Sequence, residues 1–540
     1  MAEPLRFLPA GSDAFLVELA GLEATLTLLD VLLAARPEGI RELVPAARTV
    51  MVQFDPLVTT RARLTEHIRA VDLSHRGSRQ GETFDIPVIY DGEDLADVAE
   101  ILGCTVEEVI RRHTAATFTV AFTGFAPGFA YMSCDDPGFV VPRRKSPRVR
   151  IPAGSVALGG AFCGIYPSDS PGGWQLLGRT PLRMWDTGRP RPSLLAPGDR
   201  VRFRTTETVD SVVIDTSKQP STDPAGIPAQ TGGLRVTRAD RPALFQDPGR
   251  PGRADQGVSE SGALDRSSLA EANLCVGNPR DTAAIEIAFG GFSFVTDRPV
   301  TLAVTGAPCP LVIRTADGHT LTAPFCRPFA LDAGDRLTIE PPSRGMRSYL
   351  ALRGGFAVDP VLGSAATDTL AKVGPAPILA GDRLVPAQGP VVAVDPFRPA
   401  PASLPRAGET VTLDIVLGPR TDWFTQKGLA TLTAQDWEVT AETSRVGMRL
   451  AGTEPLERND TAELPSEGTA LGAIQVPHSG QPVLFLADHP LTGGYPVIGV
   501  VARHHLDLAG QIPIGAHIRF RVIAPFDPLV TETASRNTER

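Results

Sequence analysis

Cysteine is sparse in this chain. Its six thiols, Cys104, Cys134, Cys163, Cys275, Cys309 and Cys326, are scattered over 540 residues with no C-x-x-C pair and no histidine at metal-ligand spacing. That argues against a disulfide framework and a thiolate metal centre; reduced thiols and no metal site are expected. Lysine is scarcer still. Lys145, Lys218, Lys372 and Lys427 are the whole complement, and none has the Met-Lys-Met setting of a biotinylated lysine, so no covalent biotin is expected. No stretch approaches the roughly 18 apolar residues of a membrane-spanning helix, and the opening MAEPLRFLPAG has no basic segment followed by an apolar one. A cytoplasmic location is therefore expected. Positive charge is not in excess: 52 Lys and Arg stand against 61 Asp and Glu, a net charge of −9. The dominant positive field that nucleic acid or an anionic membrane requires is missing, so small molecules and proteins are the expected partners. Familiar nucleotide cradles are absent as well, with no G-x-x-x-x-G-K-[ST], no Rossmann glycine set and no kinase signature set.

What the chain has in abundance is glycine and proline, 52 and 50, among 42% hydrophobic residues. Both are costly inside helices and cheap in turns, so short strands are expected over long helices. The expected class is mainly β with α+β elements, in several packed domains. Residues 1–80 read as a small N-terminal α/β module, in which FLPAGSDAFLVELA and TVMVQFDP alternate while the stretches from Leu26 to Arg36 and Thr59 to Val71 have helical spacing. Residues 81–216 read as a β-rich domain with two short acidic-started helices around Gly103. Residues 217–233, rich in Pro, Gly, Ser and Gln, read as an exposed linker. Two further β-rich domains, 234–400 and 401–540, are separated by PFRPAPASLPRAG. PGDRVRF, AGDRLTI, AGDRLVP and IGAHIRF each place a turn glycine before alternating residues, as strands that close β-barrels do. An internal similarity links IPAGSVALGG and SPGGWQLLGR to PSEGTALGAIQVP and LTGGYPVIGV, as if two related barrels presented similar loops.

Four motifs can carry chemistry. In FTGFAPGFAY, Phe122 to Tyr131, rings alternate with Gly124, Pro127 and Gly128; a ligand-walling turn and a plain barrel corner both use such residues. Arg143, Arg144, Lys145, Arg148 and Arg150 crowd one segment, either as bidentate partners for a carboxylate or phosphate or as a solvated hairpin face. Gly172 and Gly173 in SPGGWQLLGR can aim amides at an anion beside Trp174, Gln175 and Arg179, or simply turn a hairpin. The matching TGGYP loop follows Asp488 and His489, where acid or base chemistry can be served. Finally, QDPGRPGRADQGVSESGALD offers Ser259 and Ser261, yet it has no G-x-S-x-G and no nearby histidine; Asp265 there reads as the cap of a helix, with Asp247, Arg250 and Asn273 fixing the loop.

These segments resemble a known pair of families. FTGFAPGFAYM, RRKSPRVRIPAGSVALGG, GIYPSDSPGGWQLLGRTP and PGDRVRF resemble the B subunit of 5-oxoprolinase, also called allophanate hydrolase subunit 1, from near Arg6 to near Arg204. After the linker, QDPGRPGRADQGVSESGALD, ANLCVGNP, AAIEIAFGG, YLALRGGF, VLGSAATD, DWFT, SEGTALGAIQVP, GQPVLFLADH and TGGYPVIG resemble the C subunit of the same enzyme, or allophanate hydrolase subunit 2. Both families also resemble the carboxyltransferase region of urea carboxylase.

The resemblance implies tandem cyclophilin-like β-barrels and a cytoplasmic enzyme component. It implies that 5-oxo-L-proline, ATP with magnesium, and water give L-glutamate, ADP and phosphate, with a third, A-type 5-oxoprolinase subunit completing the complex. Assembly of several copies of the chain stays open. Two other functions are consistent with the resemblance: a biotin-dependent carboxyltransferase acting on urea or a related amide, and a non-catalytic regulator of a histidine kinase. The family commonly has A-D-R-Q-T-T-G-G where this chain has ADHPLTGG, so no role transfers to His489 or Pro490. The expected site has Asp488, Tyr495 and Arg148 as catalytic residues. Phe125, Gly128, Phe129, Arg143, Gly172, Gly173, Trp174, Gln175, Arg179, Asp247, Arg250, Ser261, Asp265, Gly493 and Gly494 are expected to bind substrate or ATP.

Overall fold

The apolar runs in RFLP, AFLVE and TVMVQF make strands whose successive side chains face opposite ways, so both faces are apolar. The computed structural model describes residues 5–73, 81–134, 136, 138–144, 146–207, 232–398 and 403–530; apart from Gly232 and Gly233, the expected linker lies outside these. Strands Arg6–Pro9, Ala14–Glu18, Ile40–Pro45 and Thr49–Phe54 form an antiparallel sheet, and Leu529–Val530, from the far end of the chain, adds a fifth strand beside Arg6 and Phe7. One face, with Phe7, Phe15, Val17, Val50 and Val52, packs on helices Leu22–Ala34 and Arg61–Arg69. The second helix is started by Thr60, whose side chain accepts from the Arg63 amide. The other face, with Leu8, Leu16 and Met51, packs on Ala254, Ala470 and Leu491 of the second half.

Two seven-stranded barrels follow the same plan. In the first, the order is Gln175–Arg179, Ser155–Gly159, Phe162–Ile165, Ala130–Cys134, Phe118–Thr123, Arg200–Thr205, Thr83–Val88, and a bridge between Ile89 and Arg179 joins the edges. In the second, Val497–Val501, Ala473–Gln475, Val483–Phe485, Gly447–Ala451, Trp437–Val439, His517–Ala524 and Thr410–Leu417 close fully. Position for position the orders match, and each barrel has one parallel pair, made by the strand that PGDRVRF or IGAHIRF runs into. The paired glycine-rich segments occupy equivalent places too: Arg148–Ile151 pairs with Ser170–Gly172, and Glu467–Gly468 pairs with Thr492–Gly493. The segment expected as a further barrel, 234–400, instead builds a six-stranded and a five-stranded sheet over one shared core. The fold is mainly β with flanking helices.

Buried charge joins the halves. Arg420 donates to both oxygens of Glu467 and, at 2.8 Å, to Glu18; Glu18 accepts from Arg6 at 2.7 Å, and Arg6 reaches Asp422 at 2.8 Å. Charges therefore alternate across the boundary, with Arg6 and Glu18 from the first half. Arg420 is 4% exposed. Removing it leaves the buried Glu467 carboxylate without a cation, which is far costlier than losing a surface pair. Arg420→Met should therefore lower stability by about 3–5 kcal/mol in urea unfolding; a loss below about 1 kcal/mol would mean that the chain of charges is not what holds this boundary.

In the first barrel, His113 of helix Val106–Ala115 is fully buried beside Phe118, Phe139 and Phe203, 2.7 Å from the Tyr90 hydroxyl. Burial lowers its pKa from 6.5 to about 3. The unfolded chain thus takes up a proton before the folded one as pH falls below 6.5, so the contribution is complete above that value and drains away toward pH 3. From pH 7 to pH 5 the first barrel should lose about 2 kcal/mol. His113→Gln should flatten that slope, as urea midpoints measured across the range would reveal.

Candidate functional site

The aromatic turn lies at the boundary between the halves. Phe125, in the left-handed region at φ 63°, donates its amide to Thr492 Oγ1 at 3.1 Å; Thr123 Oγ1 donates to the Ala254 carbonyl at 3.0 Å, and the Gly128 amide to that of Gln256 at 3.0 Å. A Cβ on Gly124 would stand 2.5 Å from Thr492 Oγ1, so glycine permits this approach. The rings are largely consumed by the core: Phe129, Tyr131, Tyr166 and Trp174 are all buried, and Phe129 meets Trp174 edge-on at 5.3 Å. Trp174 fits because Gly159 leaves room, a Cβ there falling 2.6 Å from the indole. Gln175 is buried and donates to the Pro142 carbonyl at 3.3 Å, whereas Arg179 pairs at the surface with Asp91 at 2.9 Å.

The arginines divide. Arg148 forms two bonds of 2.8 Å to the Asp94 carboxylate and one of 2.9 Å to Glu93, and Arg144 also bonds to Asp94. Asp94 further accepts from the Leu176 amide at 2.8 Å. The fork of Arg148 is thus filled by the chain itself and braces the first helix after the module, so a carboxylate anchor for substrate does not follow from its geometry. Arg143 turns the other way, to Glu463 at 3.0 Å and Ser466 at 3.3 Å, and lies against Gly494. Gly172 packs under the Tyr166 hydroxyl, and Gly173 accepts from the Arg144 amide at 2.7 Å. Gly493 faces Gln475, whose amide donates to the Tyr495 carbonyl at 3.3 Å; the Tyr495 ring is half-buried and meets His478 edge-on. Arg143, Gly493, Gly494 and Tyr495 are therefore brought close, while Arg148, Gly172 and Arg179 belong to the first barrel's own framework.

A second group converges inside the second half. Asp488 is fully buried; it accepts two bonds of 3.0 Å from Arg445, one of 2.6 Å from Ser261 Oγ, and bonds of 2.8 and 2.7 Å from the Thr369 amide and hydroxyl. Arg445 continues to Glu286 at 2.5 Å, and Glu286 accepts from Tyr349 at 2.8 Å. Burial pushes the Asp488 carboxyl up, but the Arg445 charge and these bonds bring it below the usual range. A carboxylate so held is a poor proton acceptor. Nearby Asp368, bonded by Ser259, is pushed up to about 6 by burial and by the Asp488 charge. Asp247 fixes Ser364 and Ala365, and buried Arg250 bonds to the Ala366 carbonyl. Asp265 caps helix Arg266–Cys275 by accepting from Ser268. Arg445, Glu286 and Asp368 escaped the sequence reading. The one visible signal was Glu286, a carboxylate inside the apolar strand AIEIA.

A cavity lies elsewhere, between the halves. It measures about 280 Å³ and draws on three distant stretches of chain: Asp13 to Phe54, Pro251 to Arg266, and Ala470 to Asp507. That is just under the roughly 300–1,000 Å³ of drug-sized ligand sites. Leucines and alanines share the wall with charged and polar side chains; Ser261, among the expected residues, lines it beside Glu260 and His489. Ser261 is itself strained, at φ 56°. His489 Nδ1 lies 2.9 Å from the Pro490 carbonyl, which can only accept, so Nδ1 carries the proton and Nε2 the lone pair. Burial lowers the pKa of this imidazole and keeps it neutral.

Among the described residues one trio, Asp414, His504 and His505, is close enough to share an ion. Arg521 already bonds both Asp414 oxygens, at 2.6 and 3.0 Å, and His505 Nδ1 accepts the Asp414 amide at 2.8 Å. The protein's own groups thus satisfy the trio.

Comparison with known proteins covers both halves. Residues 5–195 match the family described as carboxyltransferase domain, subdomain C and D, and residues 256–522 match carboxyltransferase domain, subdomain A and B. The C subunit of 5-oxoprolinase from Escherichia coli K12 is 33% identical over 290 residues, 53% of this chain and 90% of its own length. The B subunit of 5-oxoprolinase from Haemophilus influenzae is 43% identical over 155 residues, 28% of this chain and 70% of its own. The crystal structure of TTHA0988 is similar across both halves, at 32% identity and a TM-score of 0.77, covering 94% of this chain and 99% of that one. With one half related to the B subunits and the other to the C subunits, on one polypeptide, the chain belongs to the carboxyltransferase-domain family of the 5-oxoprolinase B and C subunits.

Proposed function

We propose that the chain is the fused B and C component of an enzyme that uses ATP to hydrolyse 5-oxo-L-proline to L-glutamate, in the cytoplasm and together with a third, A-type partner. The observation that carries this reading is the cavity shared by the two halves, each of which is related to a different subunit of that enzyme. A five-membered lactam is stable and its carbonyl a poor electrophile; phosphorylation of the lactam oxygen by ATP, with magnesium, creates a leaving group for later hydrolysis. The chain's own share is to bind and orient the lactam and to exclude water around it. A further feature fits: among the described residues, no helix is long and apolar enough to cross a membrane.

The family's description as a carboxyltransferase domain favours a second reading, transfer of a carboxyl group from partner-borne carboxybiotin to urea or a related amide. A regulator of a histidine kinase is disfavoured, because the halves are bonded into one unit across Arg420, Thr492 and Arg143. The expected outcome of an assay for glutamate and ADP is negligible turnover by the chain alone and ATP-dependent turnover once the third subunit is added. Activity appearing only with a biotin carboxylase and urea would overturn the first reading in favour of the second.

A further inference from the structure

The charges around the inter-half cavity are not evenly spoken for. Three of its seven ionisable acids and arginines are cations and four are anions, Arg41, Arg266 and Arg503 against Asp13, Glu42, Glu260 and Asp507, so the formal sum alone does not favour an anion. The pairing does. Asp13 is held by Arg503 at 3.1 Å. Asp507 accepts from the amides of Arg266 and Ser267, at 2.9 and 3.2 Å, and from the Ser267 hydroxyl, so its charge is spent on the start of a helix. Glu42 accepts the Gly252 amide at 2.6 Å, and burial pushes its carboxyl up toward the neutral form. That leaves Glu260 alone between two guanidiniums, 3.1 Å from Arg266 and 3.9 Å from Arg41. At 3.9 Å the contact with Arg41 is an ion pair without a hydrogen bond, and among the described residues the Arg41 guanidinium makes no hydrogen bond at all. A planar fork with five donors and one distant, shared counter-ion is a place for a second carboxylate.

We propose that this cavity binds a small carboxylate-bearing amide, with the ligand carboxylate taken by Arg41 and Arg266 and an amide N–H received by Nε2 of His489. Glu260 is then the internal counter-ion that the ligand displaces or joins. The apolar wall of Val258, Leu264, Leu486 and Leu491 covers the rest of such a molecule. Both halves contribute, since Arg41 belongs to the first and Arg266 and His489 to the second. Naming 5-oxo-L-proline as the ligand rests on the 5-oxoprolinase reading; the unshared guanidinium does not.

The test is calorimetric binding of 5-oxo-L-proline, and of 2-pyrrolidinone as the same ring without the carboxylate, to the full chain alone and with the third subunit. The wild-type protein should prefer 5-oxo-L-proline at least about tenfold, the worth of one charge-assisted bond. Arg41→Met and Arg266→Met should each erase most of that preference, while Glu260→Gln, which frees both guanidiniums, should tighten 5-oxo-L-proline binding several-fold. Thermal unfolding of each variant guards against simple misfolding, and the gain in Glu260→Gln cannot come from a damaged fold. Unchanged binding in both arginine variants, or no binding by the wild-type protein in either state, overturns the proposal. If those variants turn over 5-oxo-L-proline normally in the reconstituted complex, the cavity assignment fails and the enzyme reading stands. If the complex has no such turnover but charge-selective lactam binding persists, the enzyme reading fails and the cavity stands.

Discussion

A sheet that is apolar on both faces governs this molecule. Phe7, Phe15 and Val17 face their own helices, while Leu8, Leu16 and Met51 face the second half. Because side chains alternate with a period of two, neither face can be turned to water without exposing a row of large apolar groups. The small module is therefore incomplete by itself, and its second core is supplied from residues more than 200 positions away. The cavity sits at the rim of this contact, where the strands carrying Ala14, Glu42 and Gln53 meet the loop from Pro251 to Arg266.

The same economy explains the network around Arg445. Its partners, Asp488 and Glu286, lie 43 and 159 positions away, and all three are essentially without solvent. Charges taken out of water are tolerable only when each is met by several well-placed donors or acceptors, and here Ser261, Thr369 and Tyr349 supply the remainder. The turn that holds Arg445 in the second barrel is topologically the turn that holds the aromatic run in the first. One scaffold position has thus been filled by rings in one copy and by a guanidinium in the other.

Local features were legible in the sequence. The strands of the module, the capping role of Asp265 and the paired glycine-rich loops all follow from patterns within a few residues, and each stands in the structure, although the strands are buried on both faces rather than alternately. What spacing does not encode is who meets whom. Arg148 and Arg143 look alike in PRRKSPRVR, yet Asp94 captures one and the second half the other. Asp488 looks like a base beside a histidine until Arg445 closes on it. The cavity is the extreme case: Arg41, Glu260 and His489 share no motif, and only His489 stands out in the sequence.

The short strand Leu529–Val530 carries a consequence of its own. It leaves the second barrel and pairs with Arg6 and Phe7, so the chain's last described residues return to its first. The polypeptide is closed on itself without a covalent bond, and a backbone pairing is added to the side-chain ties between the halves. Were the same halves made as separate polypeptides, this pairing would become an exchange between molecules, one partner lending a strand to the open edge of the other's sheet. Fusion then changes little in the contact itself. It converts a concentration-dependent association into one whose strength is set by the length of the connecting chain.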